Sequence, residues 1–236
     1  MSGVVFFTCS SIPDFGFKDK NHSGYNPAMK KLLLFDFDGL LVDSEPLQYE
    51  ARRLAFREIG IELTLSEFLE HWMMGKSTKQ FCQDKNLSQK EESHTRKIRE
   101  THYFNLIHAT LELHKGVKDF LEQAKEQGHT MVVCSNSERD HIEKILKKFS
   151  LDSYFKEIYT GDDVENLKPE PDIYLHAQEK NGFKKEACII FENSHIGLEA
   201  AKRAGITCYC IPDEYSKIIG SLDTPHIFES ITDCPL

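Results

Sequence analysis

Two aspartates two residues apart, Asp36 and Asp38, close the short apolar run LLLFDFDG, where Gly39 must end the strand. Burying such a run gains about 25 cal/mol per Å² of apolar surface, whereas like charges at its end cost stability unless something compensates them. A divalent cation is the compensation that also does chemistry. Asp36 can attack phosphorus with one oxygen and hold the cation with the other. Asp38, on the same side of an extended chain, can protonate a leaving oxygen and then activate water. Phosphoryl transfer further needs contacts for the oxygens that stay behind and neutralisation of their charge. Ser135 and nearby backbone groups, with Gly39 and Asn136 among the substrate contacts, can hold phosphate oxygens, and Lys168 can keep Asp36 ionised. Glu192 and Asn193 can join Asp36 and Asp38 in an oxygen shell for Mg²⁺.

These residues are far apart in sequence, so the elements between them must bring them together. A first strand is expected at 32–37. Leu47, Ala51, Leu54, Ala55 and Ile59 then recur at three and four, the helical period, and Gly60 ends that helix. Further helical segments are expected at 66–72, 78–85 and 88–108, the last opened by Ser88 and Glu91 as a capping box. From Gly116 onward helix and strand alternate, with strands expected at 130–134, 157–159, 187–191 and 207–211 and helices at 117–127, 138–149, 172–181 and 194–204. Short apolar strands separated by helices imply an α/β protein: a Rossmann-like parallel sheet with helices on both faces. The uninterrupted helical stretch reads as an all-α cap domain inserted after the first strand. The expected organisation is an N-terminal extension at 1–28, an α/β core at 29–45 and 114–236, and a helical cap at 46–113. Ligands of such sheets bind beyond the carboxyl ends of the strands, which is where the chemical residues fall.

With 40% hydrophobic residues in a chain of 236, a substantial core can be buried. The formal net charge of −9 argues against broad binding to nucleic acid or to an anionic membrane and leaves small molecules as partners. With the phosphoryl-transfer residues above, the expected partner is a small phosphorylated metabolite, and the expected state is a monomer. No apolar stretch approaches the roughly 20 residues that span a bilayer. Seven cysteines without zinc spacing fit reduced thiols in a cytoplasmic protein.

DFDGLLVDSE, CSNS, KPEPD and FENSHIGLEAAKRAG, in that order, resemble the motifs of the haloacid dehalogenase superfamily. The branch they resemble most comprises phosphatases similar to β-phosphoglucomutase, with a helical cap after the first motif. The resemblance implies Asp36 as nucleophile, Asp38 as acid/base and backbone metal ligand, Ser135 and Lys168 on phosphate, and Glu192 with Asn193 at Mg²⁺. It also implies that the glycine-hinged cap segment carrying Gly75, Lys76 and Lys79 closes over the site and reads the leaving group. Plainer roles stand beside these: Ser135 and Asn136 can cap the helix that follows, and Lys76 and Lys79 can be solvated loop residues. Two positions depart from the family pattern. Asn193 stands where Asp is usual, so weaker metal affinity is expected, and Gln48 stands where sugar-phosphate mutases carry histidine. The expected activity is therefore an Mg²⁺-dependent phosphatase for a sugar phosphate or nucleotide-related monophosphate, working through an aspartyl phosphate on Asp36. A mutase, or a weakened binding or regulatory relative, remains the alternative.

Overall fold

The computed structural model describes residues 30–220 and 222–236, so the extension expected at 1–28 lies outside the described residues. In chain order the elements are β1 (Leu32–Phe35), α1 (Glu45–Glu58), α2 (Leu65–His71), α3 (Thr78–Asp84), α4 (Gln89–Thr110), α5 (Val117–Glu126), β2 (Thr130–Ser135), α6 (Arg139–Lys148), β3 (Glu157–Thr160), α7 (Asp172–Asn181), β4 (Cys188–Glu192), α8 (His195–Ala204), β5 (Thr207–Cys210) and α9 (Glu214–Ile219). The strands form one sheet in the order β3-β2-β1-β4-β5, and every pairing is parallel. This is the α/β, Rossmann-like architecture expected from the alternation of elements.

The sheet is buried on both faces because side chains alternate along each strand. Leu33 and Phe35 of β1 join Val133, Ile189 and Phe191 under Phe120 and Leu121 of α5 and Ile142 and Ile145 of α6. Leu32 and Leu34 join Val132 and Ile190 under Ile173 and Tyr174 of α7 and Leu198 and Ala201 of α8. Phe35 stacks on Phe191 with ring centroids 4.7 Å apart, which fixes the register of the two strands whose ends carry the acidic residues.

The strand expected at 32–37 stops at Phe35. Leu41 N and Val42 N both donate to Phe37 O, and Gly39 adopts φ +75°, so the chain curls back on itself directly after the ladder. A Cβ at Gly39 would lie 2.2 Å from Asn193 Nδ2, so this turn admits no side chain there. Asp36 follows the ladder directly, its amide still donating to Phe191 O, and Asp38 stands at the entry to the turn that Gly39 begins.

Helices α2, α3 and α4 each open with a capping box, at Thr64–Glu67, Ser77–Gln80 and Ser88–Glu91. Their apolar faces bury two small nuclei of their own. One joins Phe56, Leu63, Phe81 and Cys82; the other joins Phe68, Leu69 and Met73 and receives Tyr215 and Ile219 from α9. Helix α9 was not expected from the sequence. It has six residues, too few to display a period, and its start is marked by Asp213, whose Oδ1 accepts the amides of Tyr215 and Ser216.

Candidate active site

Residues from three strand ends and from α1 meet in one cavity of about 250 Å³. Its walls include Asp36, Asp38, Ser135, Asn136, Ser137 and Lys168 from the sheet side, Glu45, Gln48 and Arg52 from α1, and Phe68, Trp72, Met73, Gly75 and Lys76 from the helical block.

Lys168 organises the floor. Its buried ammonium donates to Asp36 Oδ1 at 2.5 Å, to Glu192 Oε1 at 2.7 Å and to the Cys134 carbonyl at 2.9 Å, which uses all its protons. Lys168 is therefore a counter-ion already committed to protein oxygens. Burial works to lower its pKa, but Asp36 and Glu192 outweigh burial, and the net shift is upward, so the ammonium stays charged. Asn136 holds the Lys168 backbone from both ends, accepting from its amide through Oδ1 and donating to its carbonyl through Nδ2.

Asp36 accepts from Lys168 through Oδ1, while Oδ2 takes no hydrogen bond from the described residues. Burial first, and the neighbouring charge of Glu192 second, push its carboxyl up to about 8 against the opposing pull of Lys168. A positive charge beside Oδ2 would restore the ionised form. Asp38 is fixed by two hydroxyls, Ser44 Oγ on Oδ1 at 2.7 Å and Ser137 Oγ on Oδ2 at 2.6 Å. Ser135 Oγ accepts the Ser137 amide, which leaves its own proton to donate into the cavity.

Glu192 is fully buried and saturated. Oε1 takes Lys168 and the Tyr174 hydroxyl; Oε2 takes the amides of Asn193 and Ser194 and the Ser194 hydroxyl. Gly197 on α8 makes this fit possible, since a Cβ there would overlap the Glu192 carboxylate. Asn193 differs: Nδ2 donates to Asp213 Oδ2, and Oδ1 is buried with no partner.

A hard cation suits this arrangement. Lys168 bridges Asp36 and Glu192, while Asp38, Glu45 and Asp213 lie near one another, and the carboxyl of Glu45 is pushed up to about 8 by burial and then by Asp38 and Asp213 against the pull of Arg52. Among the described residues, Asp36 Oδ2 takes no hydrogen bond and Asn193 Oδ1 is buried without a partner, so both can serve a cation. No three Asp, Glu, His or Cys side chains among the described residues form a ready metal cage.

Sequence reasoning did not single out Ser44, Glu45, Arg52, Ser137, Tyr174 or Asp213. Ser44 and Glu45 belong to the DSE segment, and Arg52 lies one turn beyond Gln48, whose Oε1 accepts from Arg52 Nη1 at 2.6 Å. Ser137 and Tyr174 meet their partners only through long-range folding, and no local signal marks them. Lys79 falls elsewhere, in a surface cleft with Gln83 and Glu92, because helix α3 turns it away from the cavity that Gly75 and Lys76 reach.

An α/β sheet with a lysine-bridged acidic pair at its strand ends has the groups that phosphoryl transfer needs. Residues 33–211 match the family described as haloacid dehalogenase-like hydrolase, and the chain belongs to that family. The YhcW protein of Bacillus subtilis is 32% identical over 213 residues, covering 88% of this chain and 95% of its own. A phosphorylated carbohydrates phosphatase of Thermotoga maritima is 31% identical over 179 residues, 74% of this chain and 81% of its own. Among solved structures, CbbY from Rhodobacter sphaeroides in complex with phosphate superposes with a TM-score of 0.74 at 23% identity, over 86% of this chain and 95% of that one, and shares the fold. The chain is an enzyme, a phosphoric monoester hydrolase of this family.

Proposed function

We propose that the enzyme is an Mg²⁺-dependent phosphatase that cleaves a small phosphorylated metabolite, a sugar phosphate or a nucleotide-related monophosphate, through an aspartyl phosphate on Asp36. The carrying observation is that Asp36, Asp38, Ser135 and Lys168, brought from separate strand ends, line one cavity.

Asp36, its carboxylate fixed by Lys168 at Oδ1, attacks phosphorus with one oxygen and would hold the cation with the other. Asp38, oriented by Ser44 and Ser137, protonates the departing oxygen and then takes a proton from the water that hydrolyses the acyl phosphate. Ser135, whose Oγ accepts the Ser137 amide, donates its hydroxyl proton to a phosphate oxygen. Asp36, the Asp38 carbonyl and Asn193 would hold Mg²⁺, which would supply charge neutralisation for the phosphoryl oxygens. Glu192, with both oxygens occupied by protein donors, acts behind these ligands by holding Lys168 and the Asn193 backbone.

Helices of the 46–113 segment act as a cap whose apolar face, Phe68, Trp72 and Met73, shields the leaving group while Lys76 lies at its mouth. Gln48 favours hydrolysis over mutase chemistry: paired with Arg52, it is no base to shuttle a proton for a sugar hydroxyl. The free, buried thiols of the described cysteines support a reducing, cytoplasmic setting.

Assaying p-nitrophenyl phosphate with and without Mg²⁺, beside Asp36→Asn, tests this function. Turnover that needs Mg²⁺ and vanishes in Asp36→Asn is expected. Equal turnover in the two proteins, or none in either, would remove it. A panel of phosphorylated metabolites then assigns the substrate by kcat/KM.

A further inference from the structure

Asn193 and Asp213 form a pair that neither the catalytic roles above nor the helix cap accounts for. Asn193 is 1% exposed and sits directly after β4, one residue from the lysine-bridged Glu192. Its amide is divided between two environments. Nδ2 donates to Asp213 Oδ2 at 2.5 Å, and Oδ1 is buried and takes no hydrogen bond. An orphaned buried carbonyl oxygen costs free energy unless something electropositive reaches it.

Asp213 makes the orientation obligatory. Its Oδ1 is occupied by the amides of Tyr215 and Ser216, and its Oδ2 also accepts the Ser216 hydroxyl, so the Asn193 group facing it must be a donor. The carboxylate is buried, with no Lys, Arg or His within salt-bridge distance among the described residues. Capping a six-residue helix explains Oδ1 but not the use of Oδ2 on Asn193. Asp213 also raises the pKa of Glu45 and lies 3.1 Å from where a Gly39 Cβ would stand, which places its charge against the turn that carries Asp38.

We propose that Asp213 is a positioning residue for the metal: it locks the Asn193 amide with Oδ1 free for Mg²⁺ and supplies, one hydrogen bond behind, the negative charge that a neutral ligand lacks. The neutral carbonyl and the carboxylate behind it together replace a direct aspartate ligand. Asn193 thereby becomes a more basic ligand than an isolated amide, polarised through its Nδ2–H, as partners behind metal ligands polarise them elsewhere. The pair offsets the loss of affinity that the Asn193 substitution by itself implies. This inference rests on the Mg²⁺ reading of the site.

Isothermal titration of Mg²⁺ into the purified full chain tests it without recourse to turnover, with melting in EDTA as the folding control. Asp213→Asn keeps a good helix cap but removes the charge and frees the Asn193 amide to turn over. Its expected Mg²⁺ affinity is roughly 10–100-fold below wild type, the usual effect of losing such a partner. Exchanging the two residues, Asn193→Asp with Asp213→Asn, puts the carboxylate on the metal and the amide behind it, and is expected to restore wild-type affinity or better. Asn193→Asp alone, which sets two carboxylates against each other, is expected to gain less than the exchange. Should Asp213→Asn melt early in EDTA, Asp213→Ser keeps a capping hydroxyl and is expected to show the same weakened binding. Wild-type affinity in a folded Asp213 variant, or an exchange no tighter than Asp213→Asn, overturns the positioning role. Absence of any Mg²⁺ binding by the wild type overturns the metal reading as well, so the two failures are told apart.

Discussion

Replacing Lys168 with methionine removes one ammonium and leaves two carboxylates to respond. Lys168 Nζ bridges Asp36 Oδ1 at 2.5 Å and Glu192 Oε1 at 2.7 Å with almost no solvent contact. Glu192 keeps Tyr174, Ser194 and the Asn193 amide, whereas Asp36 loses the hydrogen bond its carboxylate makes to the protein. Removing one partner of a buried ion pair costs about 3–5 kcal/mol. At about 2–4 °C per kcal/mol for a chain of this size, the melting temperature falls by roughly 6–20 °C. The carboxylates have an escape, since each can take up a proton. Asp36 already stands raised to about 8 with the lysine present, by burial and then by Glu192, and loss of the lysine moves it further in that direction. A folded-state acid raised above its unfolded value, near 3.9 for Asp, binds protons that the unfolded chain has released. Stability therefore falls in both proteins as pH rises towards 8, and the extra loss in the variant is expected to widen above pH 8, where Asp36 ionises with the lysine present and stays protonated without it. Urea unfolding of both proteins in EDTA at pH 7 and pH 9 measures this. A loss below about 1 kcal/mol at pH 7, the range of an exposed pair, or an equal loss at both values, would refute the buried-bridge reasoning.

Tyr174→Phe deletes a 2.5 Å hydrogen bond to Glu192 without touching the cavity and should cost about 1.5–3 kcal/mol in urea unfolding. An unchanged midpoint would show that Tyr174 does not hold Glu192. Glu45, pushed up to about 8 chiefly by burial, makes wild-type stability fall as pH rises from its unfolded value, near 4.3, towards 8; Glu45→Gln should flatten that fall in thermal melts across the range. Gly39→Ala meets both a positive φ of 75° and the Asn193 amide 2.2 Å away, so loss of phosphatase activity together with a melting temperature several degrees lower is expected. Wild-type activity in that variant would mean the turn relaxes freely.

The order of elements was legible in the sequence because β1, β2 and β4 are largely buried apolar runs, β3 and β5 fall between helical segments, and most helices show a period or a cap. Strand ends were misplaced by a residue or two where the chain turns for chemistry, as at Phe35, since DFD alternates like a strand but curls at Gly39. Helix α7 was legible to the residue, bounded by Pro171 and Gly182. Helix α9 was not, although Asp213 before it and Gly220 after it are boundary signals, because six residues show no period. At the site, Asp36 and Asp38 could be named from a strand end, whereas Ser135 and Lys168, the latter well past β3, stood out through CSNS and KPEPD. Ser137 on Asp38 and Tyr174 on Glu192 depend on loops and helices docking across the sheet, which spacing does not encode. Lys79 shows the converse limit, for a basic residue beside a glycine hinge can face outward once the following helix sets its direction.

Rapid acid quenching of the enzyme during turnover of a ³²P-labelled substrate, followed by peptide mapping, asks directly whether Asp36 carries the phosphoryl group. Label on the peptide containing Asp36, lost in Asp36→Asn, is the expected result. Label on another residue, or full turnover by Asp36→Asn, would contradict the proposed nucleophile.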